Sequence, residues 1–135
     1  MDCKYESKIK AVSGNAENIY ARLSNFSSLG SAMPSGIVND WQATETECKF
    51  TIDKIGRVGL QIEDRTPNSM IKYGHDGTLP FDLNLWVQIK QVSEGESRLK
   101  VTLRADLNPM IKLVAGSKMQ ELVDKMADSM SRQIY

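Results

Sequence analysis

The sequence predicts an α+β protein with one antiparallel sheet and a long C-terminal helix. Most of the chain between Ile37 and Leu107 alternates apolar and polar side chains with a period of two, which is typical of strands with one buried face. The segment 109–134 instead spaces its apolar side chains by three and four residues, as an amphipathic helix does. Short polar turns between the alternating runs favour antiparallel strands joined in sequence order.

The first predicted strand spans residues 4–12. Its expected inward side chains, which alternate with charged ones, are Tyr5, Ser7, Ile9 and Ala11. Gly14 ends this strand, and Asn15 is the predicted N-cap of a helix over 16–23. A second short helix is expected over about 25–30, and the Pro34-Ser35-Gly36 sequence ends it.

Six further strands are predicted between Ile37 and Leu107, which gives a seven-stranded sheet. The clearest pair is 81–90 and 98–107, where neither alternation is interrupted. The connecting turns are expected at 44–47, 54–56, 76–77 and 93–96. Turns this short join antiparallel strands, because a parallel crossover needs many more residues.

The C-terminal helix is predicted over 109–134, with Asn108 as its N-cap and Pro109 at its first position. A helix of that length would be about 39 Å long. Its expected packing face consists of Met119, Leu122, Val123, Met126, Met130 and Ile134. The Gly116-Ser117 pair is a position where such a helix can bend.

Composition excludes several classes of protein. The 135 residues match one domain, 1–135, and 17 basic residues balance 17 acidic ones. That balance argues against a nucleic-acid or anionic-membrane binder, although a local basic patch stays open. The chain contains no apolar run long enough for an integral membrane segment.

The sequence predicts no metal, cofactor or disulfide. Cys3 and Cys48 are the only cysteines, and the first residues contain no apolar signal-peptide region. We therefore expect two free thiols in a cytoplasmic protein. One histidine and two distant cysteines do not match a zinc motif, and the glycines form no nucleotide-binding loop.

Few residues qualify for chemistry, and none is assigned as catalytic. His75 is either a general base or a solvent-facing residue at a hairpin end, and no second group stands at dyad spacing from it. Polar side chains on the expected inward faces belong to Tyr5, Ser7, Cys48 and Tyr73. In a cavity they would orient a ligand, whereas in a packed core each would need its own hydrogen-bond partner.

Trp86 alternates with Leu85 and Val87, so we expect it to face outward. It either marks a partner surface, in a homodimer or with another protein, or lies under neighbouring long side chains. Trp41 is a second candidate for such a surface.

Three segments resemble the START and birch-pollen-allergen (SRPBCC) superfamily, in particular its small bacterial polyketide cyclase-like branch. They are Asn15-Ala-Glu-Asn-Ile-Tyr-Ala-Arg-Leu-Ser-Asn-Phe, Pro80-Phe-Asp-Leu-Asn-Leu-Trp-Val and Ala105-Asp-Leu-Asn-Pro-Met. The likeness covers nearly the whole chain and is one of layout and patterning. It implies the helix-grip fold, in which a curved sheet wraps around the final helix.

The resemblance also implies a hydrophobic cavity between the sheet and the helix. The cavity would bind a lipid-like or polycyclic small molecule. Its implied lining is Phe50, Ile52, Leu60, Ile62, Tyr73, Leu83, Leu85, Leu103, Ala105, Met119, Val123 and Met126.

Three functions remain open. A binder or carrier of a hydrophobic molecule ranks first, because the inward positions hold almost no ionisable groups. A polyketide cyclase-like or other small-molecule enzyme ranks second. A protein-interaction module, which would need an outward apolar patch, ranks third.

Overall fold

The computed structural model describes residues 2–52 and 55–135. Met1, Asp53 and Lys54 lie outside these described residues. The predicted turn at 54–56 can therefore be compared with the structure only from Ile55 onward. Ile55 forms a turn, and the next strand begins at Gly56.

The described residues form eight strands and three α-helices in an order close to the predicted one. The strands are β1 Asp2–Glu6, β2 Lys10–Ser13, β3 Val38–Ala43, β4 Glu47–Ile52, β5 Gly56–Thr66, β6 Met70–His75, β7 Leu83–Ser93 and β8 Glu96–Asp106. The helices are α1 Ala16–Leu23, α2 Phe26–Leu29 and α3 Pro109–Ser131, and a 3-10 turn, Gly30–Ala32, follows α2.

The strands form one antiparallel sheet in the order β1-β8-β7-β6-β5-β4-β3, with β2 also paired to β8. The long pairing of β7 with β8 runs from Leu83 opposite Ala105 to Ser93 opposite Glu96. The predicted α+β architecture, a sheet packed against a long C-terminal helix, is confirmed.

The first predicted strand is broken in two, so the sheet has eight strands rather than seven. Ser7 separates β1 from β2: its backbone N donates to the Val101 carbonyl and its hydroxyl oxygen accepts from the Val101 N, both at 2.9 Å. Beyond this break the inward face changes by one residue. Ile9 and Ala11 are exposed and Val12 is buried, so the predicted inward positions of Ile9 and Ala11 are wrong.

α1 and α2 cover part of the inner face of the sheet. The predicted cap is confirmed, since the Asn15 side chain accepts from the Asn18 N at 2.8 Å. Tyr73 on β6 donates its hydroxyl to the Leu23 carbonyl at 2.6 Å, and its ring lies 5.4 Å from that of Phe26. One aromatic side chain thus joins the sheet to both short helices.

α3 begins as predicted but ends early. The Asn108 side chain accepts from the Ile111 N at 2.9 Å, and the helix continues through Gly116. It ends at Ser131, about 35 Å from its start. Ile134 lies beyond this end and is exposed, so its predicted place on the packing face is wrong. The other predicted packing residues, Met119, Leu122, Val123, Met126 and Met130, are buried.

Candidate functional site

The residues predicted to line a cavity lie on one side of the sheet and on the facing side of α3. All but Ile62 are buried, and Ile62 packs partly buried against the same hydrophobic core. The register explains this arrangement, because Ile62, Tyr73, Leu85 and Leu103 stand side by side across β5, β6, β7 and β8. Their role as ligand contacts stays a prediction.

An open pocket of about 510 Å³ lies at one end of this interior. It forms where β6 and β8 end and α3 begins, with the loop between β6 and β7 along its side. Its lining residues are His75, Leu79, Pro80, Phe81, Asp82, Asp106, Asn108 and Ile111. None of the predicted cavity residues is among them, so the pocket adds a mixed polar and apolar opening to an apolar interior.

His75 occupies this opening from the inner face of the sheet, where it pairs with Leu60 next to Tyr73. The Gly77 backbone N donates to His75 Nδ1 at 3.1 Å, so in the neutral ring the proton is on Nε2. Nε2 lies 3.3 Å from Asp82 Oδ1. The His75 side chain is 20% exposed at the open pocket, and Asp82 is a neighbour that sequence spacing did not indicate, so both interpretations of His75 stay predictions.

The loop that carries these residues is fixed by Asp76. Its Oδ1 accepts from the Thr78 backbone N at 3.0 Å, and its own backbone N donates to the Gly59 carbonyl. Hydrogen bonds from Thr78 hold the pKa of Asp76 below its usual value. A Cβ at Gly59 would collide with the Asp76 carboxylate, so a side chain there requires this carboxylate to move.

The first two turns of α3 border the same opening with little burial of their own. Ile111 is partly buried and lines the pocket. Met110, Leu113 and Val114 are 76%, 87% and 55% exposed. The first buried residue of the helix is Ala115. Helical phase accounts for this difference, because Met110, Leu113 and Val114 lie on the side of α3 opposite the packing face, whereas Ile111 and Ala115 lie on that face.

Among the polar residues predicted on inward faces, Tyr73 and Ser7 have structural partners. Tyr73 bonds to Leu23, and burial raises its pKa. The Ser7 hydroxyl donates to the Lys8 carbonyl at 2.9 Å and accepts from Val101. Cys48 is a buried thiol whose pKa burial raises to about 12, which makes it a small core residue rather than a nucleophile.

Tyr5 differs from these. Its hydroxyl is buried and, even with the Cys3 thiol near it, makes no hydrogen bond of good geometry. Burial is the main cause that raises the Tyr5 pKa. A Cβ built at Gly116 of α3 would lie 3.2 Å from this hydroxyl, so the unpaired group lies between β1 and the helix. Buried polar groups nearly always have a partner, which makes this hydroxyl a candidate ligand contact.

The tryptophans are covered by neighbours. Lys72 Nζ lies 5.4 Å from the ring centre of Trp86, which is partly buried. Trp41 stacks on Phe50 with ring centres 5.6 Å apart. The Lys72 side chain over Trp86 agrees with the interpretation that neighbouring long side chains cover this tryptophan. A partner surface at Trp86 stays a prediction.

Several solved structures share this fold at low sequence identity. A truncated norcoclaurine synthase from Thalictrum flavum superposes with a TM-score of 0.71 at 10% identity, over 98% of this chain and 92% of that chain. A START superfamily protein from Mycobacterium smegmatis superposes with a TM-score of 0.62 at 15% identity, over 95% of this chain and 94% of that chain. A conserved protein from Geobacillus kaustophilus superposes with a TM-score of 0.65 at 12% identity, over 98% of this chain and 93% of that chain.

These similarities show the START-like fold that the resemblance predicted. No family model matches the sequence, and no curated protein matches it. The polyketide cyclase-like branch therefore stays a prediction.

Three further observations concern metals, cysteines and membranes. Across residues 2–52 and 55–135, no three His, Cys, Asp or Glu side chains are grouped so that they could hold a metal ion. Cys3 and Cys48 are both buried, and no disulfide joins them. Within the same ranges, no helix combines the length and apolar character that a bilayer span requires.

Proposed function

We propose that this protein binds a hydrophobic small molecule, lipid-like or polycyclic, between the sheet and α3. The observation that carries this proposal is the buried Tyr5 hydroxyl without a good partner in an otherwise apolar interior. A polar atom on a bound ligand would supply the missing hydrogen bond. The predicted lining residues would supply the apolar walls, and the START-like fold is consistent with this use.

The ligand would enter at the open pocket beside the start of α3. Residues 109–114 include no buried side chain, so displacing these turns breaks few apolar contacts. Ile111 borders the pocket, and its movement would widen the opening. The remainder of α3, which is well buried, would stay in place.

Native mass spectrometry of the purified protein, followed by organic extraction, tests the proposal directly. A co-purifying apolar compound, or uptake of an environment-sensitive apolar dye, is the expected result. Tyr5→Phe should weaken ligand or dye binding without destabilising the empty protein, because no good hydrogen bond is lost.

Added volume gives a second measurement. If Leu103 and Ala105 line space that a ligand occupies, Leu103→Phe and Ala105→Phe should change the free energy of unfolding by less than about 1 kcal/mol and abolish dye uptake. In a close-packed interior each would cost about 1–3 kcal/mol. Strong destabilisation together with a parent protein that takes up no dye would contradict the proposal.

The contact between His75 and Asp82 favours a second candidate, an enzyme of the polyketide cyclase-like type that acts on the same ligand. His75 would act on the bound molecule through Nε2–H, as a hydrogen-bond donor or general acid, because the Gly77 N–H occupies Nδ1. An enzyme would leave product in the parent protein and unconverted substrate in His75→Gln, so the compounds extracted from the two would differ in mass. A carrier would contain the same compound in both.

A further inference from the structure

The polar side chains that line the open pocket differ in which hydrogen bonds they can still form with a ligand. His75 Nδ1 is already occupied by the Gly77 N–H, which leaves Nε2–H as the only donor of the neutral ring. Asp82 is a carboxylate and can only accept. The Asn108 side-chain oxygen is used by the Ile111 N at the start of α3. Around His75 the pocket therefore presents one fixed donor, Nε2–H, next to one exposed acceptor, Asp82, while the Asn108 amide N–H groups and the Asp106 carboxylate line the rest of it.

The contact between these two groups is open to insertion. Nε2 and Oδ1 are 3.3 Å apart, which is longer than the usual 2.9–3.0 Å of an N–H···O bond. The Asp82 side chain is 85% exposed, so solvent screens its attraction to the ring and little holds it in place. A ligand group that can accept from Nε2 and donate to Oδ1 would replace this weak contact with two better ones.

We propose that His75 and Asp82 together recognise a hydroxyl group at one end of an apolar ligand. A hydroxyl both accepts and donates, so it satisfies Nε2–H and the Asp82 carboxylate at once. This inference rests on the proposed binding function and names the class of ligand: an amphipathic alcohol.

Other polar ends fit the pocket less well. A carboxylate would meet Asp82 and Asp106, both of which line the pocket, and like charges repel. An ammonium group would be attracted by Asp82 and Asp106, but it has donors only and leaves Nε2–H with no acceptor from the ligand. An alkane gains neither bond.

The apolar part of the ligand has contacts beside this pair. Leu79, Phe81 and Ile111 line the same pocket, and Leu83 and Ala105 continue from it along β7 and β8. An alcohol held at His75 would therefore direct its apolar body toward the interior that contains the predicted lining residues.

The test compares four straight-chain compounds of equal length: an alcohol, an amine, a carboxylic acid and an alkane. Their affinities are measured by displacement of the apolar dye from the parent protein, at fixed pH and ionic strength. We expect the alcohol to bind about tenfold more tightly than the alkane, and more tightly than the two charged compounds.

Three variants locate the preference. His75→Leu and Asp82→Ala should each reduce the affinity for the alcohol to near that of the alkane, whereas His75→Gln, which keeps an N–H donor, should retain part of the preference. Asp64→Ala removes an exposed carboxylate on β5 and serves as the matched control, with no expected change. Circular dichroism checks that each variant is folded.

Two results would overturn the inference, and they are distinguishable. If the parent binds the dye but shows no preference for the alcohol, or if Asp82→Ala keeps the full preference, hydroxyl recognition is wrong and the binding function stands. If the folded parent binds neither the dye nor any compound of the series, the binding function fails, and the inference fails with it.

Discussion

The two ends of α3 carry similar sequence patterns and have different surroundings. Met110, Leu113 and Val114 are spaced as one apolar helix face, as are Met119 and Val123. The first group is exposed, whereas the second is fully buried. At about 100° per residue the two groups lie on opposite sides of one continuous helix, and Ile111 and Ala115 share the side of Met119 and Val123. Helical phase thus distinguishes the side that faces the sheet from the side that faces solvent.

What differs is what each side of the helix faces. The buried part of α3 packs against β8, β2 and β1 and touches the 3-10 turn after α2. The first two turns lie beside the open pocket, where only Ile111 is partly buried. We therefore expect the two ends to respond differently to the same substitution.

The largest expected effect is that of a carboxylate in the buried end. Met126→Asp or Val123→Asp would bury an unpaired charge and should cost about 4 kcal/mol or more, or unfold the protein. Leu113→Asp at the exposed end should change stability by less than about 0.5 kcal/mol. Urea denaturation measures all three.

Gln120→Asp and Lys125→Asp are the controls on the polar side of the buried end and should cost far less than Met126→Asp. Equal losses at Leu113 and Met126 would show that the first turns of α3 are covered in solution, and the comparison would fail.

A smaller effect is expected where α1 joins the sheet. Tyr73→Phe removes the donor to the Leu23 carbonyl and leaves that buried oxygen without this bond, which should cost about 1–2 kcal/mol. Tyr5→Phe is the matched control, because its hydroxyl has no good bond to lose. If both variants lose the same stability, the difference between the two tyrosines is not real.

Alkaline pH should weaken the buried region without acting on the exposed end of α3. Burial raises the pKa of Cys48 from 9.0 to about 12. Because the folded value is the higher one, this contribution to stability is complete below pH 9 and is lost as pH rises toward 12. Denaturation at several pH values measures the free energy of unfolding of the parent protein and of Cys48→Ala. Above pH 9, this free energy should fall less steeply in the variant than in the parent, by about 1 kcal/mol per pH unit. Parallel pH profiles of parent and variant would contradict the assignment.

The smallest effect is expected at the N-cap of α3. Asn108→Ala removes the bond to the Ile111 N, and helix caps contribute about 1 kcal/mol. Because the first turns are hardly packed, their loss should cost only about 0.5 kcal/mol here and increase hydrogen exchange at 111–114 alone. Faster exchange throughout 119–130 would show that the two ends unfold together.

Local signals predicted most of the fold. The uninterrupted alternation in β7 and β8 predicted the longest strand pair of the sheet, and Asn15 and Asn108 predicted the starts of α1 and α3. The break at Ser7 was not predictable, because it depends on hydrogen bonds to Val101, which lies far along the chain.

The candidate site was less predictable. His75 was recognised as the one candidate base, but its neighbour Asp82 belongs to a segment whose alternation predicted an outward strand residue, whereas β7 begins only at Leu83. The unpaired Tyr5 hydroxyl likewise depends on how α3 passes over β1. Contacts of this kind arise from tertiary packing, which periodicity does not encode.

The break between β1 and β2 has a consequence for tolerance to changes in chain length. Tyr5 pairs with Leu103 and Lys10 with Leu99, so five steps along the first two strands match four steps along β8. One residue of the break is therefore surplus to the pairing. Deleting Lys8 would join β1 and β2 into one continuous strand and keep every existing pair on β8. A deletion within either strand would instead turn its inward side chains to the opposite face.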